Sequence, residues 1–187
     1  KVGPNAILQS REALEALGGP ALAEEVFAKA GLSHLLREPP RDMIAQGLAA
    51  RLHHRIADIL PPGDALIIAR DAGARTGGYI LAHRIPRPAQ AVLRALPAPL
   101  SGRMLLKAIR AHAWTFAGSG AVTTPKRRGQ GLALGIADNP LALPGCPWHV
   151  AVFEVLFRTL VHPQMQVIHS CCCAQGGACC RFEFRRG

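Results

Sequence analysis

The chain has 187 residues, 49% of them apolar, which is enough for one sizeable core, and it carries a formal net charge of +10. No run of about 18 apolar residues occurs, so no membrane span is expected. The basic residues are spread along the chain, with clusters at Lys126-Arg127-Arg128 and Arg185-Arg186, and form neither a recognition helix nor a stacking platform, which argues against a nucleic-acid partner.

The positive excess suits a solvated surface, an acidic small molecule or protein, or peripheral contact with an anionic membrane. Aromatic residues make up only 5% of the chain, and alanine is abundant, which favours closely packed helices or leaves room for a ligand. One domain is expected over residues 1–187, with an N-terminal helical hairpin over 1–38 and a core over 39–187.

In chain order, helices are predicted over 4–17 and 20–30. Each has proline in its first turn, and glycine follows each, at Gly18-Gly19 and Gly31. Glu38-Pro39-Pro40 breaks the chain. From Asp42, read as an N-cap, Ile44, Leu48, Leu52, Ile56, Ile59 and Leu60 trace a helical stripe. His53 and His54 are adjacent, do not share a helix face, and read as surface histidines. After Pro61-Pro62-Gly63, a glycine-laced segment runs to His83. Ala69, Gly73 and Gly77 repeat every four residues and would form a groove open to a second helix or to a flat ligand.

Short helices are predicted over 89–96 and 100–111. The segment 114–120 shifts to strand and turn, and 130–138 alternates as a strand after the basic turn at Lys126. A proline-rich connection reaches Cys146-Pro147. The helix that follows aligns His149, Val152, Phe153, Leu156, Phe157 and Leu160 on one face, with Glu154 and Arg158 as an i,i+4 pair on another. Residues 165–170 and 180–184 read as strands joined through Gln175-Gly176-Gly177. The fold class is therefore α+β, with a four-stranded antiparallel sheet and several helices packed on it.

Five of the six cysteines fall within ten residues of this tail. Zinc takes four thiolate or imidazole ligands in a tetrahedron, and Cys146, His169, Cys172 and Cys180 would supply them. A helix N-terminus at Cys146 favours the thiolate. In a regular strand His169 and Cys172 face opposite ways, so the strand has to end or bulge near Ser170. Disulfides are disfavoured because no secretory segment is visible. An iron–sulfur cluster wants four thiolates at tighter spacing. Inert or redox-labile thiols stay open beside a structural zinc, and Cys171, Cys173 and Cys179 are read as spectators.

The pattern of Cys146, His169-x-x-Cys172 and Cys180-x-Phe182 resembles the 4-vinyl-reductase domain, a small ligand-binding module. Its zinc-binding members use a Cys, an acidic residue three before a second Cys, and a third Cys eight further on. The resemblance carries these ligands onto Cys146, His169, Cys172 and Cys180, with His169 standing where those members have an acidic residue. Gly3-Pro4-Asn5, the glycine-laced helix, residues 114–120 and the Cys-rich tail extend the likeness to the family's bacteriochlorophyll-biosynthesis branch.

This resemblance implies a mixed α and β fold related to vesicle-tethering and nitric-oxide-sensing modules, with a cavity between helices and sheet. It also implies a tetrapyrrole ligand, such as Mg-protoporphyrin or protochlorophyllide, and the enzymes of bacteriochlorophyll synthesis as partners. A cytoplasmic tetrapyrrole carrier or chaperone is expected, peripheral to the photosynthetic membrane and open to forming a homodimer. The alternatives are a 4-vinyl (8-vinyl) protochlorophyllide reductase and a small-molecule sensor or adaptor. No Gly-x-Gly-x-x-Gly follows a strand, and no Walker loop or Gly-x-Ser-x-Gly elbow appears, which lowers the expectation of an enzyme. For a Mg-tetrapyrrole, the candidate pocket residues are Gly73 and Gly77 as thin walls, His83 or His112 as the axial nitrogen, and Trp114 or Phe116 as stacking partners.

Overall fold

The computed structural model describes residues 1–124 and 131–187. The basic turn at Lys126-Arg127-Arg128 and the first residue of the predicted strand, Gln130, lie outside the described residues.

Seven α-helices and four strands are present among them: α1 (Asn5–Lys29), α2 (His34–Arg37), α3 (Gln46–Ile59), α4 (Pro62–His83), α5 (Arg87–Ala95), α6 (Ala98–Ala111), β1 (Ala121–Thr123), β2 (Leu132–Ala137), α7 (Pro147–Leu160), β3 (Met165–Cys171) and β4 (Cys180–Arg186). The strands form one antiparallel sheet in the order β1-β2-β4-β3. Strand alternation gives the sheet one apolar face. Leu134 and Ile136, Met165 and Val167, and Cys180, Phe182 and Phe184 are buried, while Arg181 and Arg185 point to the wet side.

Helix α7 lies between that face and α4. It is apolar almost all round: from Pro147 to Phe153 every residue is buried, followed by Leu156, Phe157 and Leu160. Toward the sheet, Phe157 stacks on Phe184 with ring centroids 3.9 Å apart, and Phe153 meets Phe182 edge-on at 5.1 Å. Burying each such ring contributes on the order of 2 kcal/mol. On the opposite side α4 approaches closely, because Gly73 and Gly77 have no side chains. A Cβ on Gly73 would collide with the Trp148 carbonyl oxygen and stand 2.9 Å from the Ala151 Cβ; one on Gly77 would stand 2.8 Å from the Val155 Cβ. The small-residue groove therefore receives a helix. Arg70 ties the two helices at the surface with a 2.6 Å ion pair to Glu154, which also pairs with Arg158 at 3.6 Å. Helices α1 and α3 pack outside α4.

Several boundaries differ from the sequence reading. The helices predicted over 4–17 and 20–30 run on as the single element α1, kinked where the glycines predict a break: Gly18 and Gly19 leave helical φ/ψ just before Pro20. Asp42 is not an N-cap. Ile44 is held in a two-bond bridge to Val2 (2.9 and 3.0 Å), so the chain stays extended and α3 begins at Gln46. Residues Ala113–Thr115 form a 3₁₀ turn whose Thr115 carbonyl accepts the Gly3 N–H, and the strand starts only at Ala121. Such long-range pairings override local propensity.

The α4–α7 contact separates two glycines by their surroundings. Gly73→Ala is expected to destabilise the fold by about 1–3 kcal/mol through overpacking. Exposed Gly78, whose Cβ would meet nothing within 4 Å, should gain about 0.5–1 kcal/mol as Gly78→Ala. Urea unfolding of both variants checks this; equal effects would contradict the close helix approach.

Candidate metal centre

Three separate backbone devices bring Cys146, His169, Cys172 and Cys180 together. Cys146 precedes Pro147, the first residue of α7, and has left-handed φ/ψ (44°, 51°), directly after Gly145 at φ 76°. A non-glycine residue held there costs about 1–3 kcal/mol and persists only when its surroundings demand it. The Cys146 N–H donates to the Leu143 carbonyl (2.8 Å), which fixes the turn. In β3, His169 pairs with Phe182 and Cys171 with Arg181, with a bulge between them. The extra residue, Ser170, lets His169 and Cys172 reach the same place, as the ligand pattern requires. Cys180 opens β4 opposite Ile136.

The four candidate ligand atoms lie within 4.8 Å of one another. The Cys146 Sγ stands 3.4 Å from the Cys180 Sγ and 4.0 Å from the Cys172 Sγ. Ligands of a tetrahedral zinc with Zn–S bonds of about 2.3 Å stand about 3.8 Å apart, so these spacings fit the ion. They are too long for a disulfide, whose S–S bond is about 2.05 Å, and all six cysteines are free. The three sulfurs of the cluster are buried, and the His169 Nε2 is buried without a hydrogen-bond partner among the described residues.

Burial also sets the protonation of these groups. It pushes the Cys146 thiol far above its ordinary value, adjacent Cys180 adds to the effect, and it raises Cys180 as well. Any thiolate preference from the α7 N-terminus is outweighed. The same burial lowers the pKa of His169, favouring the neutral imidazole that can ligate. A bound cation would therefore displace thiol protons. Two donors are already aimed at sulfur: the Cys173 backbone N–H at the Cys180 Sγ (3.4 Å) and the Asn139 Nδ2 at the Cys146 Sγ (3.9 Å). Such N–H groups orient and stabilise ligating thiolates. Asn139 was missed in the sequence, although Asn-Pro is a turn signal; its Oδ1 accepts the Leu141 N–H two residues on.

The chain is 44% identical over 189 residues to the bacteriochlorophyll synthase 23 kDa chain of Cereibacter sphaeroides, a match covering 98% of this chain and 89% of that protein. The protein of the same name from Rhodobacter capsulatus is 39% identical over 186 residues, covering 96% of this chain and 84% of its own length. The chain belongs to the bacteriochlorophyll synthase 23 kDa chain family. No family model matches it. Because both matches run nearly end to end, this 23 kDa-family chain resembles its relatives over the whole fold and not in the cysteine-rich tail alone.

The six expected pocket residues are not gathered in the same way. Gly73 and Gly77 lie beneath α7. His83, on the last turn of α4, is exposed and packs against Tyr79 at 4.7 Å, and exposed His112 donates from Nδ1 to the Ala108 carbonyl (3.0 Å). Trp114 is 55% exposed, whereas Phe116 points inward and meets Phe153 edge-on at 5.8 Å. None of the six lines either of two half-open clefts among the described residues. One of these, of about 460 Å³, lies along the outer sheet face beside Arg181 and Glu183. The other, of about 320 Å³, is mostly apolar and lies between α3, α4 and the segment before α7; Ser10, His53, Ile56, Leu66, Ala69 and Pro147 are in its wall.

His53 corrects the surface reading, since it is 4% exposed. The signal was present: Ala49, Leu52, His53 and Ile56 make the buried face of α3 at i, i+3, i+4 and i+7. Its Nε2 lies 2.9 Å from the Ala6 carbonyl, an acceptor, so the hydrogen sits on Nε2. The Ser10 Oγ stands 3.3 Å from the same nitrogen. Burial lowers the His53 pKa from 6.5 to about 4, against the raising effect of that carbonyl bond.

Because the folded pKa is depressed for a base, the unfolded chain binds more protons as pH falls below 6.5. Stability is lost in that window until the folded His53 titrates near pH 4. Near pH 5 this one group should cost about 2 kcal/mol relative to neutral pH. In urea unfolding at the two pH values, His53→Gln should show an acid loss smaller by about that amount. An unchanged difference would contradict a neutral, buried His53.

Proposed function

We propose that this protein is a cytoplasmic tetrapyrrole carrier of bacteriochlorophyll biosynthesis, closed by a structural zinc ion on Cys146, His169, Cys172 and Cys180. The observation that carries the pathway assignment is the 44% identity, over 98% of the chain, to a bacteriochlorophyll synthase 23 kDa chain. The three-cysteine, one-histidine cluster supports the metal, and the sequence resemblance to the 4-vinyl-reductase domain supports a ligand-binding rather than a catalytic role. Four protein ligands leave zinc no open position for activating water, so its contribution is to hold α7, the 139–146 connection and the β3–β4 hairpin together.

Of the cavities, the one beside His53 best suits the edge of a flat apolar ring. Its wall is largely apolar, Leu66 flanks it with half its side chain in solvent, and the His53 Nδ1 has no hydrogen-bond partner among the described residues. At about 320 Å³ it accepts part of a macrocycle and leaves the rest at the surface. An imidazole nitrogen is a suitable axial donor to the Mg²⁺ of such a ring. A carrier of this design presents its cargo to pathway enzymes with one edge accessible.

Two sets of variants test the proposal separately. Cys172→Ser should lose the metal and destabilise the fold by on the order of 3 kcal/mol, about 6–12 °C in Tm, while Cys171→Ser, outside the cluster, keeps both. Equal metal content and Tm in the two variants would refute the clip. Titrating the zinc-loaded protein with Mg-protoporphyrin should give a saturable red shift at one site. Ala69→Trp, which fills the cavity from its rim, should abolish that shift, and His83→Ala and His112→Ala should preserve it. A shift that survives Ala69→Trp would place the ring elsewhere, and no saturable shift would remove the carrier reading.

A further inference from the structure

The positive charge is not spread evenly. Residues 72–137 hold ten lysines and arginines and no aspartate or glutamate, so this stretch carries the whole formal excess of +10; in the rest of the chain twelve basic residues balance twelve acidic ones. Three of the ten lie outside the described residues. Of the other seven, Arg75 pairs with Asp71 and Glu12, Arg84 lies over the Tyr79 ring, and Arg94 is held by the Gln90 Oε1 and the Thr159 carbonyl. Arg87, Arg103, Lys107 and Arg110 are exposed and have no ion pair or side-chain hydrogen bond among the described residues.

Helix α6 collects most of these unpaired cations on one face. Ser101, Gly102, Leu105, Leu106 and Ile109 are buried; the Ser101 hydroxyl donates to the Leu160 carbonyl (3.1 Å) and Gly102 abuts Leu132 of β2. The helical period then places Leu100, Arg103, Met104, Lys107 and Arg110 together on the outward arc. Arg103–Lys107 and Lys107–Arg110 are like-charge neighbours at i,i+4 and i,i+3, an arrangement that weakens a helix. Helix stability does not account for it.

Large apolar side chains are exposed in the same stretch of chain: Leu100 and Met104 beside the cations of α6 at 45% and 43%, Val92 on α5 at 51%, and Trp114, just beyond the end of α6, at 55%. Single exposed apolar residues are ordinary, but these four fall within one short stretch and are half of the large hydrophobics exposed among the described residues. Cations with interspersed leucine, methionine and tryptophan match an anionic bilayer surface. Phosphates meet the cations, the apolar tips enter the headgroup layer, and tryptophan prefers that depth. A nucleic acid would satisfy the charges and leave Leu100 and Met104 in water. No helix of the described residues is long and apolar enough to cross a membrane.

We propose that the outward face of α6, continued by Trp114 just beyond its end, docks this protein on an anionic phospholipid surface. The proposal stands whether or not the cavity binds a tetrapyrrole. Vesicle flotation of the full chain tests it, with phosphatidylcholine vesicles that contain or lack phosphatidylglycerol. Binding is expected only with phosphatidylglycerol, and it should weaken at high salt. The triple variant Arg103→Gln, Lys107→Gln, Arg110→Gln should bind on the order of 100-fold more weakly, about five-fold per cation. Leu100→Ser with Met104→Ser should weaken flotation but not retention on polyglutamate, and Trp114 fluorescence should shift to the blue on binding. Both variants alter exposed positions, and unchanged thermal melting checks that they fold. No flotation, or flotation undiminished in the triple variant, overturns the proposal. Polyglutamate binding with flotation indifferent to Leu100 and Met104 also overturns it, and assigns the face to an acidic protein instead.

Discussion

Three buried thiols and an imidazole converge in a space the size of one ion, and the rest of the tail is shaped by that convergence. Sulfur atoms 3.4 and 4.0 Å apart, cut off from water, are stable as neutral thiols or as thiolates around a cation; unpaired thiolates there would be costly. The backbone accepts two irregularities to bring them there, a left-handed cysteine and a bulge in β3. Neither improves local secondary structure. Both are accounted for if the four side chains act as a set.

That set is attached to the centre of the molecule. Cys146 stands at the head of α7, and α7 is the element on which both layers depend, with the Phe153 and Phe157 rings against the sheet and the glycines of α4 on the other side. A clip joining the start of this helix to the β3–β4 hairpin fixes the sheet relative to the helices. The cavity beside His53 has Pro147, the residue after Cys146, in its wall, so it adjoins the same helix start. The basic face of α6 lies on a different element and is free to engage a surface without disturbing either.

Much of this was legible in the sequence. Periodicity located α4, α6, α7 and the strands β2, β3 and β4, whereas β1 begins only beyond the 114–120 segment read as strand and turn; the ligand spacing demanded an irregularity near Ser170, which appears as the bulge. The left-handed turn at Cys146 left only the Gly-Cys-Pro string as a trace. Ile44 misled because its partner, Val2, lies far away in sequence, and no local pattern encodes that bridge. The structure places the expected pocket residues apart from the two clefts for a physical reason. His83 and His112 lie at helix ends, where solvent is close, and Trp114 just beyond one; Gly73 and Gly77 are small in order to admit a helix. His53 reads as a surface residue beside His54 only if adjacency is weighed above the buried stripe of α3, which runs through it.

The most direct test of the central claim is X-ray absorption at the zinc edge on protein of known metal content. One zinc per chain with three sulfurs at about 2.3 Å and one nitrogen at about 2.0 Å is the expected result. A four-sulfur shell would replace His169 with one of the neighbouring thiols. An absent metal, or a shell of oxygen and nitrogen only, would contradict the account and leave the convergence of these side chains without its cause.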